Sequence, residues 1–231
     1  MHAHAQRVCG QLLAQPGCHT LPPPSLPPLP PQIGWHNSLF AAAAFRRAHV
    51  ELLEIPNVFA VLHVCIHPHT ASSAPIFGFD MIAGQTQATG IFLDFSPVTT
   101  APPVPALGEV ITQAQRAAFR APRARPPWGD IFSPDFFAIR PTDAGEVHAA
   151  LDLAHSALAL FLARLVSTLP THAQAPARHY AGAPHPQVLA GHRAYALAQR
   201  QNPHTLRLLA KYVGAQAAQA FIEDVLFPVS C

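Results

Sequence analysis

Ala60-Val-Leu-His-Val-Cys-Ile-His67, followed after a short break by Pro75-Ile-Phe-Gly-Phe-Asp-Met-Ile-Ala-Gly84, decides how this chain folds. Both stretches are rich in β-branched and aromatic residues and are bounded by proline or glycine, which predicts two neighbouring strands. Each carries one acid/base group in apolar company, His63 in the first and Asp80 in the second. A histidine and a carboxylate are costly to bury unless they pair, meet a ligand or transfer protons. The two are therefore candidates for a reaction centre.

Working outward, residues 45–54 can begin as a short helix or an extended segment, and residues 90–95 and 132–139 predict further strands. Apolar spacing predicts helices over 107–119, 143–169, 187–201 and 205–226. The second opens at Thr142 or Asp143 as a cap and is closed by Pro170; the last should be interrupted at Gly214. A His/Ala/Pro-rich connection at 171–186 predicts a surface loop. Strands gather in the first half and helices in the second, which predicts an antiparallel sheet with helices packed on its faces.

Ahead of the strands, residues 21–31 read Leu-Pro-Pro-Pro-Ser-Leu-Pro-Pro-Leu-Pro-Pro, a polyproline-like run that cannot supply ladder donors at most positions. Residues 1–34 are accordingly expected to be a flexible Pro-rich leader, a tether in preference to a ligand for an SH3-like partner, and residues 35–231 a single domain. With 231 residues, 50% of them hydrophobic, there is material for one full core. The start, Met1-His-Ala-His4, lacks the basic and apolar regions of a secretory signal. The apolar run at 154–166 is too short and too closely flanked by charge to span a bilayer. It reads as a buried helix, with no membrane partner.

A net charge of +2, carried by thirteen arginines and Lys211, gives no electrostatic case for nucleic acid. Cys9, Cys18, Cys65 and Cys231 form no CxxC pair, so neither a disulfide framework nor a zinc site is indicated. Cys65, His67 and His69 would share a strand face, but Pro68 breaks the strand and no second cluster completes a metal shell. There is no GxGxxG for a dinucleotide.

Five strings occur in a fixed order: His49-Val-Glu51, Val61-Leu-His-Val-Cys65, Pro75-Ile-Phe-Gly-Phe-Asp80, Trp128-Gly-Asp-Ile-Phe-Ser133 and Ala138-Ile-Arg-Pro141. With Asn202-Pro-His-Thr-Leu-Arg-Leu-Leu209 and Phe221-Ile-Glu-Asp-Val-Leu-Phe-Pro228, they make the chain from about Asn37 to Pro228 resemble the ferredoxin-dependent bilin reductases. The resemblance implies an α/β (α+β) fold, a three-layer α/β/α sandwich whose central, mostly antiparallel sheet holds the pigment against C-terminal helices. It implies reduction of biliverdin by single electrons from reduced ferredoxin, an acidic [2Fe-2S] protein, with protons from the enzyme and no bound cofactor or metal. It implies a monomer, in the cytoplasm of a bacterium or the plastid stroma of an alga. A non-catalytic bilin-binding protein is the alternative from another class.

Residue by residue, His63 and Asp80 match the family's paired proton donors. Glu51 matches the acid that protonates the D-ring vinyl group in phycocyanobilin-forming members, which points to four-electron reduction; a phycoerythrobilin or two-electron product is the alternative. His49, two residues before Glu51, would share its face and could orient it. Arg123, His204 and Thr205 fall where relatives hold the propionates. Of Phe136 and Phe137, one should line the pocket and the other a helix layer; Phe137 is taken for the pocket. Trp128 is expected to pack the sheet edge. Arg46, Arg47, Arg200 and Arg207 are the candidates for ferredoxin docking. Two departures stand out. Pro203 occupies a position where relatives carry an aspartate, and the leader fills the place of an extra pair of strands, so the sheet should be shorter at one edge.

Overall fold

The structure is a computed structural model that describes residues 1–27, 29–167 and 185–229. Seven strands form one antiparallel sheet in sequence order: β1 (His19–Thr20), β2 (Gly34–Ala41), β3 (Phe45–Ile55), β4 (Phe59–Pro68), β5 (Ile76–Gly84), β6 (Ala88–Ser96) and β7 (Phe137–Ile139). Strands β2 to β6 are joined by short reversals, and the one between β3 and β4 places Asn57 at φ 60°, a left-handed conformation that asparagine tolerates. Residues 45–54 are thus extended. Of residues 132–139, only the last three join the sheet; the chain before them runs through a short 3₁₀ turn at Gly129–Ile131.

Strand alternation sorts the side chains into two layers. Leu62, Val64 and Ile66 of β4 join Phe77, Phe79, Leu93 and Phe95 on one face. Helices α1 (His2–Leu13) and α3 (Ala144–Ser167) cover it. Helix α3 presents Ala150, Leu151, Ala154, Ala157, Leu158, Phe161, Leu162 and Leu165, a run at helical spacing, and Phe161 sits 5.5 and 5.4 Å from the Phe77 and Phe95 rings. Its entry is a reciprocal cap: Asp143 accepts from the Glu146 N–H, while Glu146 accepts from the Thr142 N–H and from Arg120. Those bonds hold the Glu146 carboxyl down at about 2. By length and composition α3 is apolar enough to cross a membrane, yet half of that stretch is buried within the fold.

On the opposite face lie α4 (Pro186–Gln199), α5 (Pro203–Val213), α6 (Ala215–Phe221) and a π-helical turn at Ile222–Leu226. The three-layer sandwich expected from the order of elements is what the chain forms. Gly214, at φ 81°, ends α5 where the interruption is expected. Only part of residues 107–119 is helical, as a 3₁₀ turn (Leu107–Glu109) and α2 (Gln113–Ala117).

The amino-terminal segment differs from the expectation. Residues 1–34 are not a tether throughout: α1 buries Ala5, Val8 and Leu12 in the first core, and Leu26 and Leu29 pack against the second. Nor is the sheet short at that edge, because β2 pairs along β3 from Gly34 to Phe40, with β1 outside it. The loop expected at 171–186 lies, except for its last two residues, outside the described residues.

Candidate active site

The register of the sheet builds the site. Glu51 of β3 pairs with His63 of β4, and His63 pairs with Asp80 of β5, so three acid/base side chains stand in one row across three adjacent strands. Directly opposed residues of an antiparallel pair have side chains about 5 Å apart on the same face. The row faces the α4–α6 layer, where a cavity of about 910 Å³ separates sheet from helices. That volume is at the upper end of the range for pockets that enclose a drug-sized ligand.

His63 donates from Nδ1 to Asp80 Oδ1 at 2.8 Å, and its other nitrogen, Nε2, is buried with no hydrogen-bond partner among the described residues. The Asp80 side chain is 40% exposed and opens into the cavity, whereas that of His63 is 7% exposed. Burial works to remove the imidazole proton, but the Asp80 carboxylate and, further off, Glu51 outweigh it and raise the His63 pKa. Glu51, 4% exposed, has its pKa raised by burial, against the pull of His63 and of a hydrogen bond from the Trp35 indole. Burial favours the acid form of Glu51 and the neighbouring carboxylates favour the protonated form of His63, so both side chains can hold a proton beside the cavity.

Arg123, His204 and Thr205 all line the cavity, the last two from α5. Asn202 accepts from the His204 N–H and caps α5, with Pro203 at its first turn, a position where proline's missing N–H costs nothing.

Four expectations need correction. Phe137 is not a pocket residue: it is buried on the α3 side, edge-on to Phe119 at 5.2 Å and beneath Arg116. Its neighbour Phe136 lines the cavity instead, stacked on Phe132 at 4.5 Å. His49 shares the face of Glu51 but neither bonds to it nor borders the cavity; it donates to Asn37 Oδ1 at 2.7 Å and touches the His63 ring edge-on at 5.7 Å. Trp128 borders the cavity rather than only packing an edge.

The fourth concerns the arginines. Arg47 donates to the Val225 carbonyl, Arg200 to the carbonyls of Glu223 and Phe227, and Arg46 to His192. Arg47 and Arg200 tie the sheet and α4 to the π turn, and Arg46 ties the sheet to α4; the end of that turn, Leu226 and Phe227, walls the cavity, with Phe227 edge-on to His63 at 5.9 Å. Arg207 alone of the four lines the cavity, beside Lys211.

Several pocket residues carry no expectation from the sequence. Asp94, 2% exposed, accepts from the Ser133 N–H at 3.0 Å, the Ser133 hydroxyl at 2.5 Å and the Ser96 hydroxyl at 2.6 Å, fastening the Trp128–Phe136 wall to β6. Its signal was available: a carboxylate between Leu93 and Phe95 is as exceptional as Asp80. Tyr195 and Gln199 of α4 also line the pocket, Gln199 donating to the Tyr195 hydroxyl at 3.1 Å. Cys65 and His67 continue the row away from the cavity, His67 meeting His192 at 3.3 Å, while His69 turns to the Ala42 carbonyl.

Residues 32–228 match the family model of the ferredoxin-dependent bilin reductases. The chain belongs to that family. Among similar proteins are the phycocyanobilin:ferredoxin oxidoreductases of Trichodesmium erythraeum, 29% identical over 83% of this chain and 75% of the relative, and Synechococcus elongatus, 31% identical over 83% and 74%. The fold is shared with a PcyX structure (TM-score 0.63, 18% identity, 99% of this chain and 98% of that one). It is shared also with tomato phytochromobilin synthase solved in complex with biliverdin (TM-score 0.65, 14% identity, 99% and 81%). This bilin reductase is therefore an oxidoreductase that takes its electrons from reduced ferredoxin.

Proposed function

We propose that this reductase converts biliverdin to phycocyanobilin, with His63 and Asp80 as the shared proton donors and Glu51 as the acid for the D-ring vinyl group. The observation that carries the reading is the single row of Glu51, His63 and Asp80 along one wall of a cavity large enough for a linear tetrapyrrole. The names of the cyanobacterial relatives support the product, and the tomato complex supports the substrate.

Each electron that enters the pigment makes its ring system more basic. A proton then leaves the His63–Asp80 pair, where it is held within one hydrogen bond, and the pair recovers it from solvent through the partly exposed carboxylate. Reduction of the vinyl group draws its proton from Glu51, whose burial keeps the acid form populated. The propionates extend toward Arg123, His204 and Thr205, a guanidinium and two hydrogen-bonding side chains lining the cavity. Arg123, Arg207 and Lys211 are the cations that favour an acidic ferredoxin. In this reading electrons pass directly to the pigment with no resident cofactor, and the enzyme works as a cytoplasmic monomer.

Incubation with biliverdin and reduced ferredoxin tests the reading. The wild type should yield a product with the vinyl group reduced, and Glu51→Gln should accumulate a two-electron bilin that keeps it. A vinyl-retaining product from both proteins would overturn the assignment of phycocyanobilin and leave the family intact. Binding of biliverdin without turnover would favour the non-catalytic carrier.

A further inference from the structure

Trp35 stands on β2, the strand hardest to read in the sequence, and its indole Nε1–H donates to Glu51 Oε1 at 2.6 Å. Both partners are buried, Trp35 8% exposed and Glu51 4%. The indole is held from behind by Phe221 of α6, with ring centroids 4.4 Å apart. An indole nitrogen is a donor only, so Oε1 is committed as an acceptor whatever the charge on Glu51. A proton on that carboxyl is then favoured on Oε2, because the carbonyl oxygen of a carboxylic acid is a better acceptor than its hydroxyl oxygen.

We propose that Trp35 is a positioning residue for the Glu51 proton: it fixes Oε2 as the delivering oxygen and, by donating to the carboxylate left behind, makes Glu51 a stronger acid. This rests on Glu51 serving as the vinyl-group acid. Reducing that group consumes two electrons, from reduced ferredoxin, and two protons. For the one Glu51 supplies, the Oε2–H bond breaks as a C–H bond forms on the pigment, and the negative charge remains on a carboxylate bonded to the indole. A hydrogen bond to a charged acceptor is stronger than one to its neutral form, so the indole favours the proton's departure.

The ionisable groups facing Glu51 from neighbouring strands are His63 and Asp80, with His49 and Arg47 on its own strand. Across the cavity α5 presents His204, Arg207 and Lys211. All of them remain in Trp35→Phe, which keeps an aromatic ring on Phe221 while removing the donor and part of the ring volume. The variant should slow reduction of the vinyl group, raise the share of vinyl-retaining product, and move the alkaline limb of that step's pH profile upward by about one unit, since loss of the charge-assisted bond leaves only His63 to oppose burial. A slower step with an unmoved limb would assign Trp35 to packing alone and overturn the proposal.

A second measurement needs no substitution at Trp35. Of the chain's two tryptophans, one should give an indole ¹⁵N–¹H resonance that is slow to exchange and shifts with pH as Glu51 titrates, and Glu51→Gln should abolish that titration. Indole signals indifferent to Glu51 would refute the contact. Turnover of Glu51→Gln separates the two failures: if that variant makes the wild-type product, the role of Glu51 falls; if it stalls while Trp35→Phe behaves as wild type, only the role of Trp35 falls.

Discussion

Burial ordinarily strips the proton from an imidazole, and His63 keeps one because a carboxylate stands on each side of it in register. His49, two strand positions along from Glu51, has Asn37 as its partner instead and stays neutral, its pKa well below the usual value through burial and the proximity of His63 and Arg47. Identity of the residue was legible in the sequence at both positions; the difference between them is a matter of which side chain lies one strand away. The same holds for the paired phenylalanines. Strand alternation says that Phe136 and Phe137 diverge, but not which turns inward, because β7 is only three residues long and its sense is set by pairing with β6. Phe136→Ala should therefore weaken biliverdin binding with little effect on the fold. Phe137→Ala should cost about 3–5 kcal/mol of stability by opening a cavity under Arg116 and Phe119. Visible titration and denaturant unfolding of the two variants would distinguish these outcomes, and the reverse pattern would contradict the assignment of faces.

Elements with strong internal patterns were readable, and those defined by their neighbours were not. Strands β4, β5 and β6 and helix α3 follow from β-branched runs and from 3.6-residue spacing. Strand β2 carries Trp35, His36, Asn37 and Ser38 in sequence and owes its extension to the ladder with β3. Helix α1 is legible in the spacing of Ala5, Val8 and Leu12, a signal weaker than the proline run beside it. The close approach of α4 to the segment just after β6 was invisible, since it depends on a single missing side chain: a Cβ at Gly191 would collide with the backbone at Val98. Gly191→Ala should push α4 away from the segment after β6 and cost about 1–3 kcal/mol. The measured consequence should be a lower Tm together with weaker bilin binding, because α4 carries Tyr195 and Gln199 into the pocket. An unchanged Tm would show that α4 is not seated as described.

For the molecule as a whole, the sheet divides an apolar core on its α1–α3 face from a face rich in histidine under α4. Burial, with Arg46 nearby, lowers the His192 pKa to about 3, and His67 is also held well below its usual value. A histidine kept neutral in the folded state contributes stability above its unfolded pKa near 6.5, and that contribution drains away as pH falls toward the folded value. Stability should therefore decline from about pH 6.5 downward, with a shallower slope in His192→Gln. Thermal unfolding followed across that range would check the sign; stability rising on acidification would contradict it. The same histidine-lined face ends at the row proposed to carry the chemistry, and Asp80 is the partly exposed member of the His63–Asp80 pair that opens into the cavity. The most direct measurement is electron paramagnetic resonance on Asp80→Asn mixed with biliverdin and reduced ferredoxin. The account predicts bound biliverdin arrested after one electron as an organic radical, whereas complete conversion to product by this variant would contradict it.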